Sequence, residues 1–383
     1  MTATVDVSGV EAVVRGDAAL LEEDLAAFLG SLVTAGPAAS AYDAALLRSL
    51  YTPVADAVGS KVGQEALAPT AGAPAGPAPL RPSMVYWAYR NYRGFPGEAD
   101  EAGEAGSPAD LAAVRRAAVA VRVLLKAAVA IDDIQDGSGM RYGEPALHVT
   151  HGVPLALNTG TLLITAALEH AAEPAVVRSL LRAVGQGLTG QAVDISTRTS
   201  RTRAELMAAP RAERVEFWES VAALKTGTLF RMPLDAAMAA LGVVEEERHA
   251  LDEAMRGLGL ASQLFNDLTG FVPELGFART HEDFDQLSNR VLLELLDSAP
   301  DAQRASGELS GERLKSFVLG HRDLPRTLVS LAAQAVALKR EAKAAVHAVC
   351  RSERSARYFD VTIERKGYLI DRLYRTVLER TDG

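Results

Sequence analysis

Ile131-Asp132-Asp133-Ile134-Gln135-Asp136 ends a long apolar run, and this stretch decides how the rest of the chain is interpreted. If the run is a helix, Asp132 and Asp136 lie one turn apart on the same face. Mg²⁺ prefers oxygen ligands and is usually bound by one or two carboxylates together with the phosphates of a substrate. The stretch therefore indicates a metal site, while an acidic helix end that faces water would show the same pattern.

Length and composition restrict the function classes. The chain has 383 residues, of which 48% are hydrophobic and 23% charged, enough for one large domain or a domain with an extension. Its net charge is −9, its pI is near 5.4 and its basic residues are scattered, so we expect no nucleic-acid partner. An anionic substrate would then need a local cationic pocket or a bridging metal.

Cysteine content and hydropathy predict a cytoplasmic protein without a membrane span. The single cysteine, Cys350, excludes an intramolecular disulfide and fits a reducing compartment. The N-terminus lacks the basic segment followed by an apolar one that marks a signal peptide. The most apolar run, 117–131, contains Arg122 and Lys126, which argues against a membrane-spanning helix.

Apolar residues recur at three- and four-residue spacing along most of the chain, which predicts an all-α fold without strands. Residues 68–79 are rich in Pro, Gly and Ala, and residues 97–107 in Gly and acidic residues; neither composition favours a helix. We therefore predict an N-terminal helical arm (1–67), a linker (68–79) and a helical domain (80–383). The predicted helices are 9–34, 40–58, one that begins near 81–82, 108–134, 154–172, 174–198, 203–207, 212–241, 244–270, 282–298, 310–319, 323–352 and 356–380.

Three further segments place polar residues where a ligand would suit them. Arg141 follows the carboxylates in a turn with Gly and Pro, where its guanidinium suits a phosphate, although a surface ion pair is also consistent. Gln191 and Asp194 lie three residues apart on an apolar helix and need polar partners. Lys225 lies near a helix-loosening Gly, where its ammonium suits an anion or extends to solvent.

A fourth segment, 263–274, offers a second set of oxygen ligands. Asn266 and Glu274 share a helix face if the helix persists between them. Pro273 would kink or end that helix just before Glu274. Asp267 is the alternative ligand.

In this order and spacing, these segments resemble the trans-type isoprenyl diphosphate synthases and the related class I terpene cyclases, over roughly residues 80–300. The resemblance implies an isoprenoid-synthase-type helical bundle around a central apolar cavity. It also implies a homodimer, an allylic prenyl diphosphate substrate and three Mg²⁺ ions bound to its diphosphate. Metals and cations make diphosphate a good leaving group, and aromatic faces can stabilise the allylic cation that remains.

The resemblance assigns roles to the polar residues, four of which (Asp132, Asp136, Asn266 and Glu274) would be catalytic. The implied metal ligands are the polar residues of the two motifs: Asp132, Asp133, Asp136, Asn266, Asp267 and Glu274. The implied diphosphate-binding residues include a downstream pair that resembles an Arg-Tyr pair of bacterial cyclases, and they are Arg141, Lys225, Gln191, Arg357 and Tyr358. Asp194 would support them.

The chain departs from the chain-elongating members of that family. Those members bind isopentenyl diphosphate through a basic set of Lys, Arg, His and a second Arg. Here the corresponding positions hold Ala78, Pro79, Leu125 and Tyr142. The resemblance therefore predicts that the allylic half of the site is kept and the isopentenyl half is lost.

The second motif and the cavity also differ from elongating enzymes. The segment from Asn266 resembles the (N/D)Dxx(S/T/G)xxxE motif of terpene cyclases, with a water in place of a ligand at Gly270. In relatives, large aromatic residues just before the first motif shorten the product pocket. Small residues stand at those positions here, so the resemblance predicts a deep pocket and a C20 substrate. Small residues that only allow two helices to approach closely would give the same pattern. The predicted pocket residues are Ala127, Ala128, Tyr86, Trp87, Phe230 and Phe265.

The leading hypothesis is a class I terpene cyclase that converts a linear prenyl diphosphate, geranylgeranyl diphosphate by preference, to a cyclic diterpene with release of diphosphate. One alternative is a prenyltransferase that moves the allylic group to an acceptor other than isopentenyl diphosphate. A second alternative is a non-catalytic regulatory subunit of a prenyl synthase. Retention of Asp132, Asp136, Arg141 and Lys225 argues against that second alternative.

Overall fold

The computed structural model describes residues 7–33, 41–56, 58, 78–96, 107–141, 144–275, 284, 287–298 and 311–382. Nearly all of these residues are helical, which confirms the predicted all-α class. None of the described helices is long and apolar enough to cross a membrane.

The described elements before residue 200 are mostly long helices. They are α1 (Val7–Val33), α2 (Ala41–Leu46) with a π-helical turn (Leu47–Tyr51), α3 (Leu80–Arg93), α4 (Pro108–Asp136), β1 (Met140–Arg141), β2 (Glu144–Pro145), α5 (Leu147–His151), α6 (Val153–Ala171) and α7 (Pro174–Ser196).

The later elements are again helical. They are α8 (Ser200–Ala208), α9 (Arg211–Ala222), a π-helical turn (Ala223–Gly227), α10 (Thr228–Leu241), α11 (Glu245–Thr269), a 3₁₀ turn (Pro273–Leu275), α12 (Arg290–Leu295) with a 3₁₀ turn (Leu296–Ser298), α13 (Gly311–Leu319), α14 (Leu324–Val349) and α15 (Glu353–Asp382).

The chain divides into two compact units, and each is described by itself. The first unit comprises Met1–Arg182, Met232–His249 and Val346–Arg365. The second unit comprises Ala183–Arg231, Ala250–Ala345 and Lys366–Gly383. The division into arm, linker and helical domain stays a prediction, and most of the predicted linker lies outside the described residues.

Helix α4, which carries the first motif, has clear sequence causes for both of its ends. Ser107 accepts a hydrogen bond from the Asp110 N–H at 3.1 Å, and Pro108 occupies the first turn, where its missing N–H costs nothing. Gly137, with φ of +68°, ends the helix in a conformation that strains other residues. Between these ends every residue from 117 to 127 is buried, so α4 is the centre of the first unit.

Helix α6 approaches α4 closely near the first motif because Gly160 has no side chain. A Cβ at Gly160 would lie 2.7 Å from Cγ1 of Ile131 and 3.5 Å from the carbonyl oxygen of Ala127. A contact of 2.7 Å is far inside the van der Waals separation of two carbons. Gly160 therefore fixes how α6 packs beside the residue that precedes Asp132.

Two ion pairs connect helix α1, from the predicted N-terminal arm, to other helices of the first unit. Asp17 is 2% exposed and accepts a hydrogen bond from Nε of Arg90 on α3 at 3.1 Å. Asp24 accepts one from Nη2 of Arg115 on α4 at 2.7 Å. The described part of the arm thus contributes to the same core as α3 and α4.

Among the described residues the fold differs from the predicted elements in several places, which include the unpredicted helix α5 and the π-helical turn within the predicted helix 212–241. A short antiparallel hairpin pairs Met140 with Pro145 and Arg141 with Glu144, although the sequence predicts no strand; two-residue strands are too short to show alternation. Residues 287–289 are not helical, and the Asn289 side chain caps α12 by accepting from the Val291 N–H, so the predicted helix 282–298 is wrong there.

Candidate active site

The first motif presents two carboxylates at the C-terminal end of α4. Asp132 and Asp136 are both half-buried and lie one helical turn apart, as their spacing predicts. Asp133 is only 2% exposed. The motif therefore offers two accessible carboxylates and one buried one.

Arg141 returns to this motif because the β1–β2 hairpin follows directly after α4. Its Nε donates to Oδ1 of Asp133 at 2.6 Å, and its Nη2 donates to the same oxygen. Nη2 also lies 3.5 Å from Oδ2 of Asp132. A buried carboxylate that binds one side of a guanidinium fixes the plane of its other donors. Asp133 thus positions Arg141, and its role as a metal ligand stays a prediction.

The donor set of the first motif fits a hard cation that is bound jointly with a substrate. Carboxylate oxygens are the ligands that Mg²⁺ prefers, and Mg²⁺ sites in proteins commonly use only one or two of them. Among the described residues, no group of three or more His, Cys, Asp or Glu side chains could hold a metal by itself.

The second unit brings Lys225 and Asp194 together. The Lys225 Nζ donates to Oδ2 of Asp194 at 2.7 Å, and Asp194 is 4% exposed. Gln191 lies one turn earlier on α7 and is 6% exposed. The Lys225 side chain is 27% exposed, so it is held by a buried anion while part of the side chain stays accessible.

The π-helical turn that carries Lys225 lies against two glycines of neighbouring helices. A Cβ on Gly190 of α7 would lie 2.8 Å from the backbone nitrogen of Lys225, and a Cβ on Gly259 of α11 would lie 2.5 Å from Cα of Gly227. Only glycine permits backbones to approach this closely. The position of Lys225 is therefore set by backbone contacts on two sides, and π-helical turns are frequent at functional sites.

Asp267, the alternative ligand of the second motif, is 2% exposed and fully engaged in hydrogen bonds. Its Oδ2 accepts from Nε1 of Trp218 at 2.8 Å and from the backbone N–H of Arg290 at 2.8 Å. Its Oδ1 accepts from Nε2 of Gln263 at 2.7 Å. The carboxylate thus serves contacts within the second unit, and a metal-ligand role for Asp267 stays a prediction.

The second motif is not one continuous helix. Helix α11 ends at Thr269, and Glu274 lies in the following 3₁₀ turn, so the condition that the helix persists to Glu274 is not met. Pro273 explains this, since proline lacks the N–H that a helix needs. Asn266 is half-buried in the last turn of α11, whereas Glu274 is exposed, with Oε1 3.3 Å from Nε of Arg380. Both residues stay predicted ligands.

The downstream Arg357-Tyr358 pair is engaged with α1. The Arg357 Nη2 lies 3.0 Å from Oε1 of Glu11, and the Tyr358 hydroxyl donates to Oδ2 of Asp17 at 3.1 Å. Burial, reinforced by the nearby Asp17 carboxylate, raises the pKa of Tyr358. These contacts tie α15 to α1, and a role for the pair in diphosphate binding stays a prediction.

The two small residues before the first motif differ in their surroundings. Ala127 is fully buried where Gly160 lets α6 approach α4. Ala128 is exposed. At Ala127 the small side chain is thus explained by helix packing, whereas no such packing covers the exposed Ala128.

The predicted aromatic pocket residues are all buried. Trp87 is fully buried and its Nε1 donates to the carbonyl oxygen of Ser355 at 2.9 Å, while Tyr86 is 1% exposed. In the second unit, Phe230 is fully buried, and Phe265 is 5% exposed. The ring of Phe265 lies under an ammonium, with Lys366 Nζ 4.2 Å from its centroid. Their role in lining a cavity stays a prediction.

The sequence does not indicate the hydrogen-bond partner of Trp218, nor the hydrogen bond that Thr226 donates to Oε1 of Gln263. One signal was present, because Gln263 and Asp267 are four residues apart on one helix and such pairs meet. No local pattern indicates that Trp218, 49 residues before Asp267, supplies the next donor.

Comparison with known proteins gives the family. The model described as Polyprenyl synthetase matches residues 74–276, more than half of the chain. The chain belongs to the polyprenyl synthetase family. It is 34% identical over 139 residues to the prenyl transferase paxC of Penicillium paxilli, covering 36% of this chain and 41% of that protein. It is 28% identical over 170 residues to the short chain isoprenyl diphosphate synthase of Methanocaldococcus jannaschii, covering 43% and 49%. The matches therefore span less than half of each relative.

A solved structure is similar to this polyprenyl synthetase family member over nearly the whole length of the chain. Geranylgeranyl pyrophosphate synthase from Corynebacterium glutamicum, in complex with isoprenyl diphosphate and magnesium, matches with a TM-score of 0.63 at 17% identity. The match covers 94% of this chain and 99% of that one. At this identity the likeness shows the fold alone, and it confirms the isoprenoid-synthase type of helical fold.

Proposed function

We propose that this member of the family is a class I terpene cyclase that ionises a linear prenyl diphosphate, geranylgeranyl diphosphate by preference, and closes the cation to a cyclic diterpene. The observation that carries the proposal is an asymmetry of cationic residues. Arg141 and Lys225 are present and each contacts a buried carboxylate. At positions where, by the resemblance, elongating relatives bind a second diphosphate, Leu125 is 6% exposed inside α4 and Pro79 is the residue that precedes α3.

In this proposal the polar residues of the chain hold and orient the diphosphate. Arg141 and Lys225 bind its oxygens, and Asp132 and Asp136 hold Mg²⁺ ions, with Asn266 and Glu274 as the second set. When bound, Mg²⁺ neutralises the diphosphate and makes it a better leaving group. The magnesium in the related synthase structure supports this metal, and three ions are the number we propose.

The apolar residues have the complementary task. Once diphosphate leaves, the allylic cation must be shielded from water, and aromatic faces such as those of Phe230 and Phe265 suit that purpose. An exposed Ala128 leaves room for a long chain, in keeping with a C20 substrate. The released diphosphate is the proton acceptor that we propose for the last step, so no side-chain base is required.

A prenyltransferase that uses an acceptor other than isopentenyl diphosphate is the second candidate. The relative from Penicillium paxilli is named a prenyl transferase, which favours this candidate. Both candidates need the same allylic half of the site. They differ in the product, since a cyclase releases a hydrocarbon or alcohol without any second organic substrate.

We also propose a homodimer and keep a cytoplasmic location as a prediction. Val153 and Leu157 are four residues apart on α6 and are each 47% exposed, which supports an apolar contact with a second copy. Light scattering coupled to size-exclusion chromatography measures the mass directly. A monomer at micromolar concentration would remove this part of the proposal.

Two measurements test the proposed function. A rise in melting temperature with Mg²⁺ and inorganic diphosphate together, and a smaller rise with either alone, is expected for a joint metal and diphosphate site. A non-catalytic subunit without that site shows no joint effect. Turnover of geranylgeranyl diphosphate by wild type but not by Asp132→Ala then separates catalysis from binding.

A further inference from the structure

The buried carboxylate of Asp267 is the centre of a hydrogen-bond chain in the second unit. It accepts from Trp218 Nε1, from the backbone N–H of Arg290 and from Gln263 Nε2, each at 2.7–2.8 Å. A carboxylate removed from water is costly unless its oxygens are satisfied, and three donors satisfy this one. Asp267 is thus held in one orientation by three separate segments of the chain.

The chain continues from Asp267 to the segment of Lys225. Gln263 donates through its amide nitrogen to Asp267 and accepts through its amide oxygen from Thr226 Oγ1. Because the amide uses both of its ends, its orientation is fixed by the two partners together. Thr226 directly follows Lys225 in the π-helical turn. A change in the position of Asp267 is therefore passed to the residue beside Lys225.

Trp218 is the side chain that supplies the indole donor at the far end of this chain. It lies on α9, is 2% exposed and has the guanidinium of Arg290 5.8 Å from its ring. Its N–H has a single geometry, unlike that of a flexible amide or ammonium. An indole in a packed site therefore sets where Oδ2 of Asp267 can lie.

We propose that Trp218 is a positioning residue that acts through Asp267 to hold two groups of the site, Thr226 with Lys225 on one side and Asn266 on the other. Asn266 precedes Asp267 on α11, so the orientation of Asp267 also restrains the rotation of that helical turn. This inference rests on the proposed function, in which Lys225 and Asn266 contact diphosphate and metal. In this proposal Trp218 acts only through its hydrogen bond to Asp267.

The test is Trp218→Phe, which keeps the aromatic ring and removes the N–H. Arg214→Lys is the matched control, because Arg214 lies one turn earlier on α9 and is equally buried. Arg214 donates to the carbonyl oxygen of Leu293 at 3.1 Å and pairs with Asp297, so its contacts lie on a different segment from Asp267. Both variants weaken the packing of α9, and only the first cuts the hydrogen-bond chain.

With substrate, we expect Trp218→Phe to raise the Mg²⁺ concentration for half-maximal rate by about 10- to 100-fold, the usual effect of losing an outer partner of a metal site. Arg214→Lys should lower the melting temperature and leave that Mg²⁺ concentration within about two-fold of wild type. Equal Mg²⁺ dependence in the two variants would overturn the proposal, since it would show that Trp218 acts only through stability.

A metal-free measurement separates this inference from the proposed function. In a double-mutant cycle of Trp218→Phe and Thr226→Val, followed by thermal unfolding, coupled losses are expected because both variants cut one chain. Additive losses would overturn the proposal even if the enzyme is active. If wild type neither binds diphosphate with Mg²⁺ nor turns over a substrate, the proposed function is wrong. The double-mutant cycle then still shows whether Trp218 and Thr226 are energetically coupled. If Trp218→Phe does not fold, Gln263→Leu cuts the same chain and takes its place in both measurements.

Discussion

Nζ of Lys225 lies 2.7 Å from Oδ2 of Asp194, a residue that is 4% exposed. The buried carboxylate and the ammonium belong to different helices, and the π-helical turn brings them together. A cation that is held in advance can meet a diphosphate without the entropy cost of ordering a long side chain.

Lys225→Ala should lower kcat/KM by about 100-fold, in the range for loss of one group that stabilises developing charge. Asp194→Asn should cost less, about ten-fold, because the ammonium stays but loses its charged partner. Steady-state kinetics with the allylic substrate measure both. Lys315→Ala, which removes a lysine that pairs with Glu312 on α13, is the control and should leave the rate unchanged. A larger effect from Asp194→Asn than from Lys225→Ala would contradict this assignment.

The carboxylates of the first motif should separate into two roles. Asp132→Asn and Asp136→Asn should each abolish most turnover and shift the requirement for Mg²⁺ upward, because they remove oxygen charge from the accessible ligands. Asp133→Asn should instead raise KM for the diphosphate substrate, because Arg141 loses the anion that orients it. The dependence of the reaction rate on Mg²⁺ concentration, measured for each variant, distinguishes the two roles. A Mg²⁺ shift in Asp133→Asn as large as in Asp132→Asn would make Asp133 a ligand.

Gly160→Ala should destabilise the protein, because the new Cβ would lie 2.7 Å from Cγ1 of Ile131. Overpacking of this kind costs about 1–3 kcal/mol. The matched control is Gly185→Ala on α7, where an added Cβ meets nothing within 4 Å. That variant should be neutral or more stable by up to about 1 kcal/mol, since alanine favours a helix over glycine. Thermal unfolding of the two variants checks the pair, and equal melting temperatures would contradict the close approach of α6 and α4.

Acid should destabilise the first unit through His170. Burial lowers the pKa of His170, with a further contribution from the positive charge of Arg116. The unfolded state then binds the proton more readily than the folded state does. The stability that the neutral imidazole gives is therefore fully present above about pH 6.5, and it is lost as the pH falls toward the lower pKa of the folded state. His170 also packs edge-on against Phe28 on α1, with ring centroids 5.0 Å apart.

The variant His170→Phe isolates this effect, because it keeps an aromatic ring against Phe28 and cannot titrate. Wild type should lose up to about 1.4 kcal/mol of stability per pH unit below pH 6.5 more than the variant does. Chemical denaturation between pH 7.5 and pH 5 measures the difference. Parallel pH curves for the two proteins would show that His170 carries no such linkage.

The helices and the first motif could be predicted from sequence because they depend on local patterns. The apolar periodicity predicts a helix over 108–134, and α4 is Pro108–Asp136, with Asp132 and Asp136 one turn apart as their spacing predicts. The return of Arg141 to Asp133 could not be predicted, since a two-residue hairpin leaves no periodic signal. The break before Glu274 was visible in Pro273, yet its consequence, the pairing of Glu274 with Arg380, depends on a residue more than 100 positions away. Long-range packing also decides the roles of Gly160, Gly259 and Trp218.

The most direct test of the central claim is product analysis of the purified protein with Mg²⁺ and geranylgeranyl diphosphate, with and without isopentenyl diphosphate. Extracts are examined by gas chromatography and mass spectrometry, with Asp132→Ala as the control. A cyclic C20 product that requires Asp132 and is unaffected by isopentenyl diphosphate is the predicted result. Longer linear diphosphates formed only when isopentenyl diphosphate is present would contradict the account, because they would show a working second diphosphate site.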